Sequence, residues 1–197
     1  MKTKTKFLTA LTAAVLMLPS CAPSGMTRVS QTDISSAYTR TDLSISAARG
    51  AVPVIFSGVV PATDKARAER ALLAALPTHY TANLAWRAAS PADQEGLAAR
   101  LVLAFGPDPI YPADRLCGLK PGFTIAPPSP TEPVRAVAAY CRGPSALSST
   151  VGDVIDAAGI EGTKAQALVG DMTNALLPTR VPGDDDFRRP LFLRVGS

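Results

Sequence analysis

Hydrophobic and polar positions alternate with two different periods between residues 51 and 180, and these periods predict a series of strands and helices. The run VPVIFSG at 52–58 is β-branched and aromatic, which is typical of a strand. Apolar residues then recur at helical spacing behind the capping residues Thr63 and Asp64, and Pro77 ends that helix. The pattern therefore predicts a strand followed by a helix at the start of this region.

The same reasoning extends to residue 178. Strand character is found in YTANLAWRA (80–88), ARLVLAFG (99–106) and VRAVAAYC (134–141), and SPAD (90–93) resembles the start of a brief helix. A helical spacing follows in VGDVIDAA (151–158), and a capping box at Thr163 and Gln166 opens a longer helix that ends before Pro178.

The stretch between residues 107 and 133 contains many prolines, which predicts a long surface loop without regular structure. Taken together, the elements predict an α+β fold. We expect a single small domain, with helices packed on one face of a mostly antiparallel sheet.

The N-terminal segment reads as an export signal. Lys2, Lys4 and Lys6 precede an uncharged apolar stretch from Phe7 to Leu18, which is too short to span a bilayer as a helix. The residues Leu18, Pro19, Ser20 and Cys21 that follow resemble the lipobox of bacterial lipoprotein precursors.

That resemblance implies that Cys21 receives a diacylglyceryl group and becomes the first residue of the mature chain, anchored in the membrane by its lipid. Ala22 at the next position resembles the sorting signal for the outer membrane, facing the periplasm, in a cell with two membranes. Ser20 and Ala22 also fit the rule of ordinary signal peptidase, and that cut would release a soluble secreted protein.

Composition divides the chain into four parts. Residues 1–20 form the predicted signal peptide, and 21–50, which are rich in Ser, Thr, Gly and Ala, form a lipidated flexible tether or a segment that orders on a partner. The α+β domain spans 51–180. Residues 181–197 form a C-terminal tail in which DDD (184–186) indicates a solvated turn and PLFLRV an edge strand or a partner-binding segment.

Three cysteines are an odd number for an exported protein. With lipid on Cys21, the simplest fate of Cys117 and Cys141 in an oxidising compartment is a disulfide. Such a bond would close a loop of about 25 residues and contribute about 3 to 4 kcal/mol. A redox-active pair is the functional alternative, although such pairs usually lie closer together in sequence.

Charge and histidine content restrict the chemistry. Three of the 20 basic residues lie in the signal peptide, so the remainder is nearly neutral against 16 acids, and we expect no nucleic-acid partner. His79 is the single histidine, which leaves little for a catalytic triad or a zinc site, and we expect neither a metal nor a cofactor. The acid pairs Asp93/Glu95 and Asp153/Asp156 lie near predicted helix starts and could otherwise serve a glycosidase.

Three functional hypotheses follow. The first is a non-enzymatic, lipid-anchored envelope protein that binds another envelope component or supports an assembly. The second is a module that binds a small envelope ligand, with a pocket beneath the proline-rich loop and Trp86 or Tyr140 as lining. The third is a hydrolase that acts on the cell wall or on lipids and uses His79 or the paired acids.

Overall fold

The computed structural model describes residues 27–90, 93, 99–106 and 112–179, and the elements within these ranges form one mixed sheet with helices on both of its faces. The strands are β1 (Arg28–Ile34), β2 (Val52–Pro61), β3 (Trp86–Ala88), β4 (Ala99–Phe105), β5 (Gly122–Ala126), β6 (Pro133–Arg142) and β7 (Ser145–Ile155). The helices are α1 (Arg40–Ala48), α2 (Lys65–Ala75), α3 (Ala113–Cys117) and α4 (Thr163–Leu176).

The strand order is β1-β7-β6-β4-β2-β3, and β5 pairs with the second half of β2 beyond β3. β1, β7, β6 and β4 form antiparallel ladders, whereas β2 runs parallel to β3, β4 and β5. The two longest ladders, β4–β6 and β6–β7, are antiparallel. The α+β class and the single domain predicted from the sequence are confirmed.

The sheet has two chemically different ends. At one end β1 and β6 begin while β2, β4, β5 and β7 finish, and we call this the basal end. At the other end β2, β4 and β7 begin and β6 finishes at Arg142, and we call this the apical end.

The two faces of the sheet bury cores of unequal size. The larger core lies under α1, α2 and α4 and includes the fully buried residues Leu72, Leu101, Leu168 and Met172. The smaller core lies on the opposite face under the short helix α3. Three of the four helices therefore share one face, as the sequence predicted, and α3 covers part of the other.

Several predicted elements agree with the structure. β2 and β6 extend over the predicted strands at 52–58 and 134–141, and β4 covers all but the last residue of the one at 99–106. α2 begins where Asp64 accepts a hydrogen bond from Arg67 N at 2.7 Å. The predicted final helix is α4, but its cap differs. Gly162 is the N-cap residue, and the Asp156 carboxylate accepts from the backbone N–H groups of Lys164 and Ala165, so the capping box expected at Thr163 does not form.

The predicted boundary at residue 51 is wrong, because β1 and α1 both lie within 21–50. Ser- and Thr-rich composition suggested a tether, yet Tyr38, Leu43 and Ala47 are buried in the larger core. A few well-placed apolar residues outweigh the polar average once tertiary contacts are available. The folded domain therefore begins no later than Arg28.

The helix predicted at 151–158 is wrong, since Val151, Val154 and Ile155 belong to β7. The hydrophobic alternation of β7 is weak because its buried face carries small residues, including Ser148, Thr150 and Gly152. A Cβ at Gly152 would lie 2.8 Å from Leu168 Cδ1 and 2.9 Å from Met172 Sδ. α4 can approach the strand this closely only because Gly152 has no side chain. The glycine in turn interrupts the alternation of large hydrophobic residues that would have predicted a strand.

The stretch at 107–133 is also more regular than predicted. α3 and β5 form between its prolines: Pro112 is the N-cap of α3, Pro121 precedes β5 and Pro127 follows it. These positions do not require a proline N–H within a helix or a ladder.

The strand expected at 80–88 shortens to β3. Asn83 adopts a left-handed backbone with φ 63°, which interrupts an extended chain. The brief helix expected from 90–93 onwards falls mostly on residues 91–92 and 94–98, which lie outside the described residues. The tail at 181–197 lies outside them as well.

Candidate binding site at the basal end

A cavity opens at the basal end because β4 is shorter than the strands on either side of it. Phe105, the last residue of β4, pairs with Gly58 of β2 and with Ala136 of β6. Beyond that row β2 continues to Pro61, and β6 has already begun at Pro133. Two strands that flank a third lie about 10 Å apart, so the end of β4 leaves a gap one strand wide.

The gap forms a cavity of about 350 Å³. That volume is at the lower end of the range for small-molecule sites. Its walls are mainly apolar and come from the ends of β2 and β6 and from the proline-rich segment after β5: Val59, Pro61, Ala126, Pro127, Pro133 and Val134. The cavity therefore lies against the proline-rich stretch, whereas Trp86 and Tyr140, which we expected as lining, are located elsewhere.

Both of those aromatic residues have structural contacts. Trp86 Nε1 donates to Pro77 O at 2.9 Å, which joins β3 to the end of α2. Tyr140 is fully buried on the larger core, where its ring meets that of Tyr38 edge to face. Burial raises the pKa of Tyr140 far above its usual value, so its hydroxyl stays protonated.

The polar residues around the cavity are mostly engaged in holding the backbone. Asp156 Oδ2 accepts from Lys164 N at 3.0 Å and from Ala165 N at 3.2 Å, and Oδ1 accepts from Ala158 N at 3.1 Å. Ser129 Oγ accepts from the N–H groups of Thr131 and Glu132 in a tight turn. Glu132 and Arg135 lie exposed at the rim. This arrangement suits binding of an apolar group better than a reaction.

Prolines at the two walls also limit what can bind. Pro61 and Pro133 have no backbone N–H, so neither can donate to a strand inserted in the gap. Extension of the sheet by an added peptide strand is thereby disfavoured. A compact ligand needs no such ladder.

The apical end contains the disulfide between Cys117 of α3 and Cys141 of β6, whose Cα atoms are 5.6 Å apart. Arg100 pairs with Cys141 across the β4–β6 ladder and is only 4% exposed. Its Nη2 donates to Cys117 O at 2.7 Å and to Gly143 O at 2.8 Å. Sequence reasoning missed Arg100, because an arginine in an apolar strand gives no signal of its own burial.

The remaining donors of Arg100, Nε and Nη1, have no hydrogen-bond partner within the described residues. Burial without a counter-charge lowers the pKa of Arg100 below its usual value. The residue ties two carbonyl groups together at the cost of leaving two buried donors unpaired. Its role at this site is structural.

The candidate catalytic residues do not form a joint site in the structure. His79 is exposed, and its ring lies 4.4 Å from that of Tyr80. Asp93 accepts hydrogen bonds from Arg87 at 2.5 and 2.7 Å, and these lower its pKa well below the usual value. Asp153 lies on β7, and Asp156 caps α4. Glu95 falls outside the described residues.

Two further findings apply to the described part of the chain. No three His, Cys, Asp or Glu side chains within it are grouped so that they could hold a metal ion. None of its helices is long and apolar enough to cross a membrane. The lipobox residues Leu18, Pro19, Ser20 and Cys21 precede the first described residue.

Comparison with known proteins gives little. No family model matches the chain, and no curated protein does. Among solved structures, the PelC dodecamer from Paraburkholderia phytofirmans aligns with a TM-score of 0.39 at 15% identity, covering 79% of this chain and 100% of that one. A PelC variant in another crystal form aligns with a TM-score of 0.33 at 13% identity over the same shares. Both scores are low, and the likeness carries no conclusion about function.

Proposed function

We propose that the protein is an exported, lipid-anchored envelope protein of non-enzymatic role, whose folded domain binds another envelope component. The observation that supports this proposal is the pairing of the cysteines. Cys117 and Cys141 are joined to each other, as is typical of exported domains, and Cys21 is the one cysteine left, at the end of the lipobox.

The placement of the candidate catalytic groups supports a binding role over a chemical one. Nucleophilic and acid–base catalysis need side chains within hydrogen-bond reach of one another. Here Asp93 is held by Arg87, Asp156 is held by the start of α4, and His79 stacks on Tyr80 at the surface. Each of these groups already has a local role.

The anchor is tested by replacing Cys21 with serine in the full-length protein in a bacterial host. We expect loss of acyl labelling and release from the membrane fraction, because the thiol is the site of acylation. The double variant Cys117→Ser/Cys141→Ser is the matched control, since it also removes sulfur but keeps Cys21. Acyl-labelled, membrane-bound Cys21→Ser protein would overturn the anchor.

The binding role is tested by crosslinking the full lipoprotein in membranes and recovering it after detergent solubilisation. We expect one envelope component at near-stoichiometric amounts. The control is a protein in which residues 1–26 carry an unrelated folded domain, because this keeps the anchor and removes the binding surface. Equal recovery with both proteins would argue against a specific partner.

A second candidate function is binding of a small ligand, and the basal cavity favours it. Its apolar walls and its volume of about 350 Å³ suit a small hydrophobic molecule or the apolar end of a larger one. A ligand that binds only the folded state raises the melting temperature. We therefore expect a small hydrophobic ligand to raise the melting temperature of the parent protein in a thermal screen. Ala126→Phe should abolish this rise, because the larger side chain fills the cavity. Ala66→Phe, at an exposed position on α2, is the matched control and should leave the shift intact.

A further inference from the structure

The early start of the folded domain restricts where the membrane can be. β1 begins at Arg28, and Thr27 already hydrogen-bonds Asp171 of α4 at 2.9 Å. Six Cα-to-Cα steps lead from Cys21 to Thr27, a reach of at most about 22 Å even when fully extended. If Cys21 carries the lipid, as proposed above, Thr27 lies close to the membrane surface.

The register of the sheet shows which part of the domain this brings to the membrane. Arg28 pairs with Asp153 of β7, and Asp153 pairs with Arg135 of β6. This row lies at the basal end, beside the ends of β2 and β4. The chain therefore enters the domain at the same end as the cavity.

Exposed apolar side chains are present at this end. Ile155, the last residue of β7, is 50% exposed, and Val59 of β2 is 41% exposed. Alternation along the strands places both on the sheet face that carries the smaller core, and α3 covers that face only near the disulfide at the apical end. Two aliphatic residues left open on one face, next to the point of attachment, fit an interface with lipid.

The charged groups of this end are compatible with a lipid surface. Arg28 is exposed in the row with Asp153, and a guanidinium group hydrogen-bonds phosphate readily. Of the acids nearby, Asp156 is taken up by α4, and Glu161 accepts from Thr63 and pairs with Arg67 at 2.7 Å. Glu132 is exposed at the cavity rim.

From these observations we infer that the basal end of the sheet rests on the lipid surface, with Val59 and Ile155 in contact with the bilayer interface. The inference rests on the proposed lipidation of Cys21. It assigns an orientation: the apical end, with the disulfide, faces away from the membrane and is the part accessible to a partner.

The test is photocrosslinking of the full-length lipoprotein in its membrane. A benzophenone amino acid replaces Val59 or Ile155, or Ile45 as matched control. Ile45 is 46% exposed on α1, which the Asp42–Arg142 ion pair ties to the apical end. The same group at position 23, beside the lipidated residue, shows that lipid adducts are detected. Retention of the Cys117–Cys141 bond on a non-reducing gel confirms that each variant folds.

We expect lipid adducts at positions 59 and 155 and background yield at position 45, because only side chains at the bilayer interface contact acyl chains. Equal yields at all three positions, a higher yield at 45, or adducts at 59 and 155 only with protein would each overturn the orientation. Acyl labelling of the unsubstituted protein is measured in parallel. Loss of that labelling overturns the proposed anchor itself, whereas intact labelling with the wrong adduct pattern overturns only the orientation.

Discussion

The apical and basal ends of the sheet are closed in different ways. At the apical end a disulfide, a buried arginine and the Asp42–Arg142 ion pair join α3, α1 and the β6–β7 hairpin. At the basal end the carboxylates of Asp156 and Glu161 accept hydrogen bonds from backbone N–H groups, and a cavity and exposed aliphatic side chains lie beside them.

This difference shows that the strongest stabilising links and the surface left open for contact lie at opposite ends of the domain. Covalent and buried polar links hold the apical end, where α3 covers part of the smaller core. The basal end keeps open surface that a tightly closed end could not offer. Changes at four places break or sharpen this contrast, and they are ordered here by expected effect.

The largest effect is expected from Cys117→Ser/Cys141→Ser. Removing the cross-link between two cysteines with a sequence separation of 24 frees that loop in the unfolded chain, and the free energy of unfolding should fall by about 3 kcal/mol. Urea unfolding of the variant and the parent measures the difference. A reducing agent should lower the stability of the parent to that of the variant and leave the variant unchanged. A difference below about 1 kcal/mol would mean that the apical end does not depend on the bond.

Arg100→Ala is expected to cost about 2 to 3 kcal/mol, because two carbonyl oxygens lose their donor and a cavity is left. Arg100→Met fills most of the space without donating, so it separates packing from hydrogen bonding. We expect it to cost about half as much, since it also removes two unpaired donors. Equal losses in urea unfolding for both variants would show that packing contributes nothing.

At the basal end, Asp156→Ala removes the acceptor for the backbone N–H groups at the start of α4. We expect a loss of about 1 to 2 kcal/mol, the usual cost of a lost N-cap. Asp156→Asn keeps one oxygen in place and is the matched control, with a smaller loss. If the two variants unfold at the same urea concentration, the cap is not what holds this end.

The smallest effect is a pH dependence at Glu161. Hydrogen bonds from the hydroxyl and the backbone N–H of Thr63, with a weaker contribution from Arg67, lower the pKa of Glu161 below its usual value. A lowered folded-state pKa contributes stability above the unfolded-state pKa, and that stability is lost as the pH falls from the unfolded-state pKa through the lower folded-state pKa.

We therefore expect Glu161→Gln to lose less stability than the parent between pH 6 and about 3 in urea titrations. Thr63→Val should flatten the same profile, because it removes one of the donors, and Thr63→Ser should keep it. An unchanged profile in both Glu161→Gln and Thr63→Val would show that this carboxylate does not link stability to pH.

Sequence patterns predict an element most reliably where the pattern lies within the residues of that element. β2 and α2 show clear periodicity and an N-cap at Asp64, and the Cys117–Cys141 pairing follows from cysteine count. The sequence predicts a helix in place of part of β7, because Gly152 and its small neighbours are there to accommodate α4. That requirement comes from tertiary packing and is not visible in the strand's own sequence. The cavity could not be located in advance, since it arises from the register of three strands and not from any motif.

Arg100 has one more consequence, which concerns the order in which the contacts around the disulfide form. Its two hydrogen bonds join the α3 segment to the turn after β6, so they bring Cys117 and Cys141 together without any covalent bond. In a chain that has formed these hydrogen bonds, the sulfur atoms of Cys117 and Cys141 are neighbours, so oxidation joins two thiols that are already in place.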